Sequence, residues 1–132
     1  MSAQLRLQTA WRLLGYTWLL LVSVLSLARM PQPIPFEHVD KWTHWAVWML
    51  MMFWFGSTWP AKRFYCLAGL LAASIALELL QGLLPWRFMD INDGWANLAG
   101  LLSGSALLYT PLERVLPWFD DLIANRLDAP PV

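Results

Sequence analysis

Residues 78–97 read ELLQGLLPWRFMDINDGWAN. They set Glu78, Gln81, Arg87, Asp90, Asp93 and Asn97 between two apolar runs, residues 64–77 and 98–109. A carboxylate and an amide at the end of such a run are expensive to bury. Polar side chains in a membrane segment normally face a bundle interior or a wet cavity, and they mark function by default. The rest of the chain reads as scaffold that holds this cluster at one face of a membrane.

Composition supports that reading. Hydrophobic residues make up 58% of the chain and charged residues 14%, whereas an ordinary soluble domain is about 25% charged. Too little polar surface remains to cover a soluble particle. Ten tryptophans stand against three tyrosines, and Trp gathers at bilayer interfaces, where its ring is apolar and its N–H is wet. The formal net charge is zero, so there is no basic field to attract nucleic acid. Cys66 is the one cysteine; it cannot form an intrachain disulfide and says nothing about redox compartment. A chain of 132 residues is read as a single domain, residues 1–132.

Working outward, residues 13–28 are the first apolar run, long enough with Trp11 to span a core of about 30 Å. The same run also reads as a signal peptide, with a basic start and Ser26-Leu27-Ala28 as a small-x-small cleavage site. The long polar start favours a span. Residues 29–39 form a loop in which Pro31, Pro33 and Pro35 favour extended backbone. Residues 40–59 are the second span and residues 64–84 the third. In the third, Ala68, Ala72 and Ala76, with Gly69 and Ala73, predict a close-packing face. Pro85 ends it. Asp90 or Asn92 can cap a short fourth span that runs to Tyr109, on which Gly100 and Gly104 form a GxxxG contact face. Thr110-Pro111-Leu112-Glu113 then reads as a helix start. Leu112, Val115, Leu116, Phe119, Leu122, Ile123 and Leu127 follow at helical spacing, with Pro117 as a kink or restart. Residues 128–132 read as a loose tail. The fold expected is an all-α membrane protein: a four-transmembrane-helix bundle with a C-terminal amphipathic helix on the interface.

Four spans put both termini on one side. With the termini inside, Arg6, Arg12, Lys62, Arg63, Arg114 and Arg126 are cytoplasmic, six residues against three (Arg29, Lys41 and Arg87). The positive-inside rule favours that orientation. Asp40, His44, Glu78, Gln81, Asp93 and Asn97 then lie at the outer face.

Each motif has a structural reading beside its functional one. Asp40 and His44 are four apart and share a helix face; Asp40 can orient His44 as a base or ligand, or act as a cap beside an interfacial imidazole. Glu78 and Gln81 are three apart and can satisfy each other, yet Glu is costly at this depth. Arg87 is a counter-ion for Glu78 or a headgroup-level arginine. Asp90 and Asp93 can cap the fourth helix, and Asn97 can bond across the glycine face. Convergence at one membrane face raises all of them together. A zinc site from His44, Glu78, Asp90 and Asp93 has too few nitrogen or sulfur ligands. A hard-cation site of carboxylates stays open, but neither a metal nor another cofactor is expected.

Asp40-Lys41-x-x-His44, Glu78-x-x-Gln81, Arg87 and Asp93-x-x-x-Asn97-x-x-Gly100-x-x-x-Gly104 together resemble the VanZ-like family, over about residues 40–104. The resemblance implies a small bacterial multi-pass membrane protein of the envelope. It also implies a link to low-level resistance to teicoplanin, a glycopeptide antibiotic, and it names no reaction. The leading expectation is a non-enzymatic accessory or binding protein of the bacterial cytoplasmic membrane. Its outer-face pocket would take a lipid headgroup, a cell-wall precursor or a partner helix, with no nucleic-acid partner. The rival is an intramembrane enzyme on a lipid-linked substrate, with Glu78 and His44 as acid and base and Arg87 holding an anionic headgroup. A third reading is structural, with the polar residues locking short helices together.

Overall fold

The structure, a computed structural model, describes residues 5–29 and 39–128. The expected Pro31–Pro33–Pro35 loop and residues 129–132 lie outside the described residues. Among the described residues the regular structure is entirely helical: α1 (Gln8–Leu27), α2 (Val39–Thr58), α3 (Arg63–Leu83), α4 (Ile91–Leu107) and α5 (Val115–Leu127). Two of these regions, α1 and Pro60–Leu83, are long and apolar enough to cross a membrane.

Local chemistry sets the ends. α2 stops before Pro60, whose 3₁₀ turn Pro60–Lys62 leads into α3. α3 stops at Leu84, which is extended because the following Pro85 disfavours a helical residue before it. Asp90 is the cap of α4: its Oδ1 accepts from the Asn92 backbone N–H at 2.9 Å. Thr110 caps a second 3₁₀ turn, Pro111–Arg114, through the Leu112 N–H at 3.3 Å. That turn gives way to α5 at Val115, so Pro117 falls in the first turn, where its missing N–H costs little.

Helices α1 to α4 alternate in direction. The start of α1 meets the end of α2, where Trp54 Nε1 donates to the Trp11 carbonyl at 3.0 Å. The end of α2 meets the start of α3 and the end of α4: Arg63 bonds the Gly56 carbonyl at 3.4 Å, and a side chain at Gly56 would strike Leu108. α2 and α4 therefore run parallel and touch along their length. The core is centred on α2, with Trp48, Met51, Met52 and Phe55 packed against Leu70, Leu77, Leu101 and Leu108. Gly100 and Gly104 make this contact possible. A Cβ at Gly100 would run into the Trp45 carbonyl oxygen, and one at Gly104 into that of Met49.

The alanine stripe of α3 behaves otherwise than its spacing predicts. Ala68, Ala72 and Ala76 are exposed, and nothing lies within 4 Å of a Cβ at Gly69. The buried face is Leu70, Ser74, Leu77, Glu78 and Gln81. The cost of leaving a carboxylate and an amide in apolar surroundings outweighs what small residues gain by close packing.

α5 turns Leu116, Asp120 and Ala124 inward and leaves Trp118, Phe119, Leu122, Ile123 and Leu127 exposed. Asp120 is 1% exposed. Its carboxylate accepts from the backbone N–H of Arg6 (2.5 Å) and Leu7 (2.9 Å) and from the Trp11 indole (2.7 Å). Burial alone would raise its pKa, but these three donors and the nearby Arg6 charge outweigh burial and hold it below the ordinary carboxylate value. The two backbone N–H groups that lead into α1 are thus satisfied from the far end of the chain. Arg6 adds a bond to Asn125 at 2.7 Å and an ion pair with Asp128.

Candidate functional site

The starts of α2 and α4 and the end of α3 meet at one end of the molecule. α2 supplies Asp40, Lys41 and His44; α3 supplies Glu78 and Gln81; α4 and the turn before it supply Asp90, Asp93 and Asn97. Lys41 Nζ reaches Asp90 Oδ2 at 2.5 Å and Asp93 Oδ1 at 2.6 Å. That lysine, with the Asn92 N–H, holds the Asp90 carboxyl below its usual range.

Behind this ion pair runs a buried hydrogen-bonded chain. Asn97, 2% exposed, donates from Nδ2 to Glu78 Oε1 at 3.3 Å, and its Oδ1 lies 2.9 Å from His44 Nδ1. With Glu78 ionised, its oxygens only accept, so the Asn97 amide turns Nδ2 to Glu78 and Oδ1 toward His44. His44 then donates from Nδ1, and a neutral imidazole in that tautomer has its lone pair on Nε2. Nε2 faces Asp40 Oδ1 and Asp93 Oδ2, each at 3.7 Å. Glu78, 8% exposed, keeps Oε2 buried without a hydrogen-bond partner.

A cavity of about 350 Å³ adjoins this chain. Its lining mixes apolar Val22, Leu25, Val47, Trp48 and Leu77 with polar Ser26, Asp40, Thr43, His44, Glu78, Gln81, Arg87 and Asn97. Asp93 sits behind His44 and does not line it. Arg87 shares the cavity with Glu78 but does not pair with it. Its NH2 group donates to the Leu25 carbonyl at 3.2 Å, and among the described residues no carboxylate lies in ion-pair range of it. Two neighbours act alike: Gln81 Nε2 donates to the Ser26 carbonyl (3.0 Å) and Oγ (2.8 Å), and Trp86 Nε1 to the Leu27 carbonyl (3.1 Å). Three side chains thus satisfy the last carbonyls of α1, where a cation is also favoured by the helix dipole. Gln81 is therefore bonded to α1, not to Glu78.

Sequence reasoning missed Ser26 as a site residue and Trp86 as a cap. Their partners lie 55 and 59 positions away, and no local spacing signals such pairs. Gly100 and Gly104 seat α4 on α2 one and two turns below Asn97, which sets how closely Asn97 approaches His44. No family model, no curated protein and no solved structure matches the chain.

Proposed function

We propose that this chain is a multi-pass protein of the bacterial cytoplasmic membrane that binds the headgroup end of a lipid-like ligand in the cavity beside His44 and Glu78. In this reading α1 to α4 all cross the bilayer, α5 lies on its surface through Trp118, Phe119, Leu122 and Ile123, and both termini are cytoplasmic. One observation carries it: the cavity lining combines apolar side chains with two carboxylates, an imidazole, amides and a guanidinium. Such a lining suits an amphiphile, with the tail along Val22, Leu25 and Val47 and the headgroup against the polar side chains. Large exposed apolar faces on α1 and α3 fit lipid contact. The basic residues Arg12, Lys62 and Arg63, clustered on Trp59 and Tyr109 at the opposite end from the cavity, fit the inside-positive orientation. An accessory role of the VanZ-like kind, including its link to teicoplanin, is consistent with the motif residues converging there.

A second reading rests on Glu78. Its Oε2 has no partner, and its Oε1 is 3.9 Å from His44 Nδ1, an arrangement that can move a proton on a lipid-linked substrate. Lipids co-purifying with the wild-type chain and with Glu78→Gln in mild detergent test both readings. Enrichment of one lipid class over the bulk membrane supports binding. A co-purified product that differs from the lipid held by Glu78→Gln supports catalysis. A lipid profile matching bulk membrane in both proteins sinks the pocket reading.

A further inference from the structure

We propose that Asp40, His44 and Asp93 form a binding site for one divalent cation of the zinc class. One ligand atom from each of Asp40, His44 and Asp93 lies within 4.8 Å of the others, and Nε2 is 3.7 Å from Asp40 Oδ1 and from Asp93 Oδ2. Bonds of about 2.0–2.2 Å at tetrahedral angles place ligand atoms roughly 3.4 Å apart, so the two nitrogen–oxygen edges need contract by only a few tenths of an ångström.

The hydrogen bonding of His44 suits a ligand role as well. The Glu78–Asn97–His44 chain puts the imidazole proton on Nδ1, which is the outer-shell device that orients metal-bound histidines. In neutral His44, Nε2 presents a lone pair to two carboxylate oxygens. Lys41 Nζ is engaged with Asp90 Oδ2 and with the other oxygen of Asp93, so Asp93 still turns Oδ2 toward Nε2. The surroundings are acidic: Asp40, Glu78, Asp90 and Asp93 lie near only two cations, Lys41 and Arg87, a setting that suits a cation. Asp40, with its side chain 72% exposed, gives the ion a way in. Asp40 and His44 also line the cavity, so the fourth coordination position opens toward it, as in three-ligand sites that hold water or a ligand oxygen. The cation site stands on these residues alone and does not depend on what occupies the cavity.

The test uses tag-free full chain in detergent, stripped of metal, with Zn²⁺ as the probe in titration calorimetry and elemental analysis after dialysis. One equivalent is expected to bind. Asp40→Asn should weaken it about ten-fold or more, His44→Gln should abolish it, and His38→Ala, at the only other histidine of the sequence, should leave it unchanged. Melting curves of the metal-free proteins check folding. Should His44→Gln fail to fold, Asp40→Asn at its exposed position still decides, as does Co²⁺, whose visible bands report four-coordinate nitrogen and oxygen ligation. Absence of saturable uptake, uptake indifferent to Asp40→Asn, or uptake lost with His38→Ala would each overturn the proposal.

Discussion

The indole N–H of Trp11 lies 2.7 Å from the buried carboxylate of Asp120, so the first helix and the last share one anion. Asp120→Ala would leave this donor and two backbone N–H groups unsatisfied. A loss of about 2–4 kcal/mol in unfolding free energy is expected. The pH dependence has a definite sign. A carboxyl held below its ordinary value of 3.8 contributes stability that is present above that pH and lost as pH falls through the lower, folded value. Melting temperature in detergent, followed between neutral pH and acid, should fall more steeply in the wild type than in Asp120→Asn. Parallel curves would show that the clasp does not titrate.

Gly100→Leu should cost about 1–3 kcal/mol or prevent assembly, because the new side chain meets α2 backbone at Trp45 and Met49 rather than a movable side chain. Gly69→Ala is the control. Its Cβ meets open space, and the change should be neutral or stabilising by up to about 1 kcal/mol. Equal yield and melting temperature for Gly100→Leu and the parent would refute the close α2–α4 approach.

Glu78, Asn97 and His44 should act as a unit. Glu78→Gln and Asn97→Leu, made singly and together, are expected to show a coupling of roughly 0.5–3 kcal/mol in thermal stability. Arg87→Ala should behave differently, since its bond goes to the Leu25 carbonyl. It should loosen the end of α1 and raise cross-linking or proteolysis near Ser26. Additivity between Glu78 and Asn97 would remove the basis for the imidazole tautomer.

Topology has its own test. A reporter fused after Val132 should be active in the cytoplasm. Activity on the outside would place the cavity at the inner face.

Much of the site was legible because its cost was legible. Glu78, Asp93 and Asn97 sit at or beside apolar runs, and such groups must find one another or water. The starts of α2 and α4 could be read from Asp40 and Asp90 for the same reason. What stayed hidden was the identity of partners. Arg87 was the cation nearest to Glu78 in sequence, yet it bonds a backbone carbonyl, because helix ends leave acceptors that spacing does not reveal. The Ala68–Ala72–Ala76 stripe misled in the opposite direction: small residues permit close packing but do not compel it. Nothing in the spacing of the last helix singles out Asp120, because its role depends on Arg6, Leu7 and Trp11, more than a hundred positions away.

The first helix is closed at its start by Asp120 and at its end by Gln81, Trp86 and Arg87. During synthesis it is made first and completed last. Until residue 87 has emerged its final carbonyls lack their side-chain partners, and until residue 120 has emerged so do the amides that lead into it. A chain that stops short of residue 87 therefore leaves unsealed, at both ends, the helix that contributes Val22, Leu25 and Ser26 to the cavity lining.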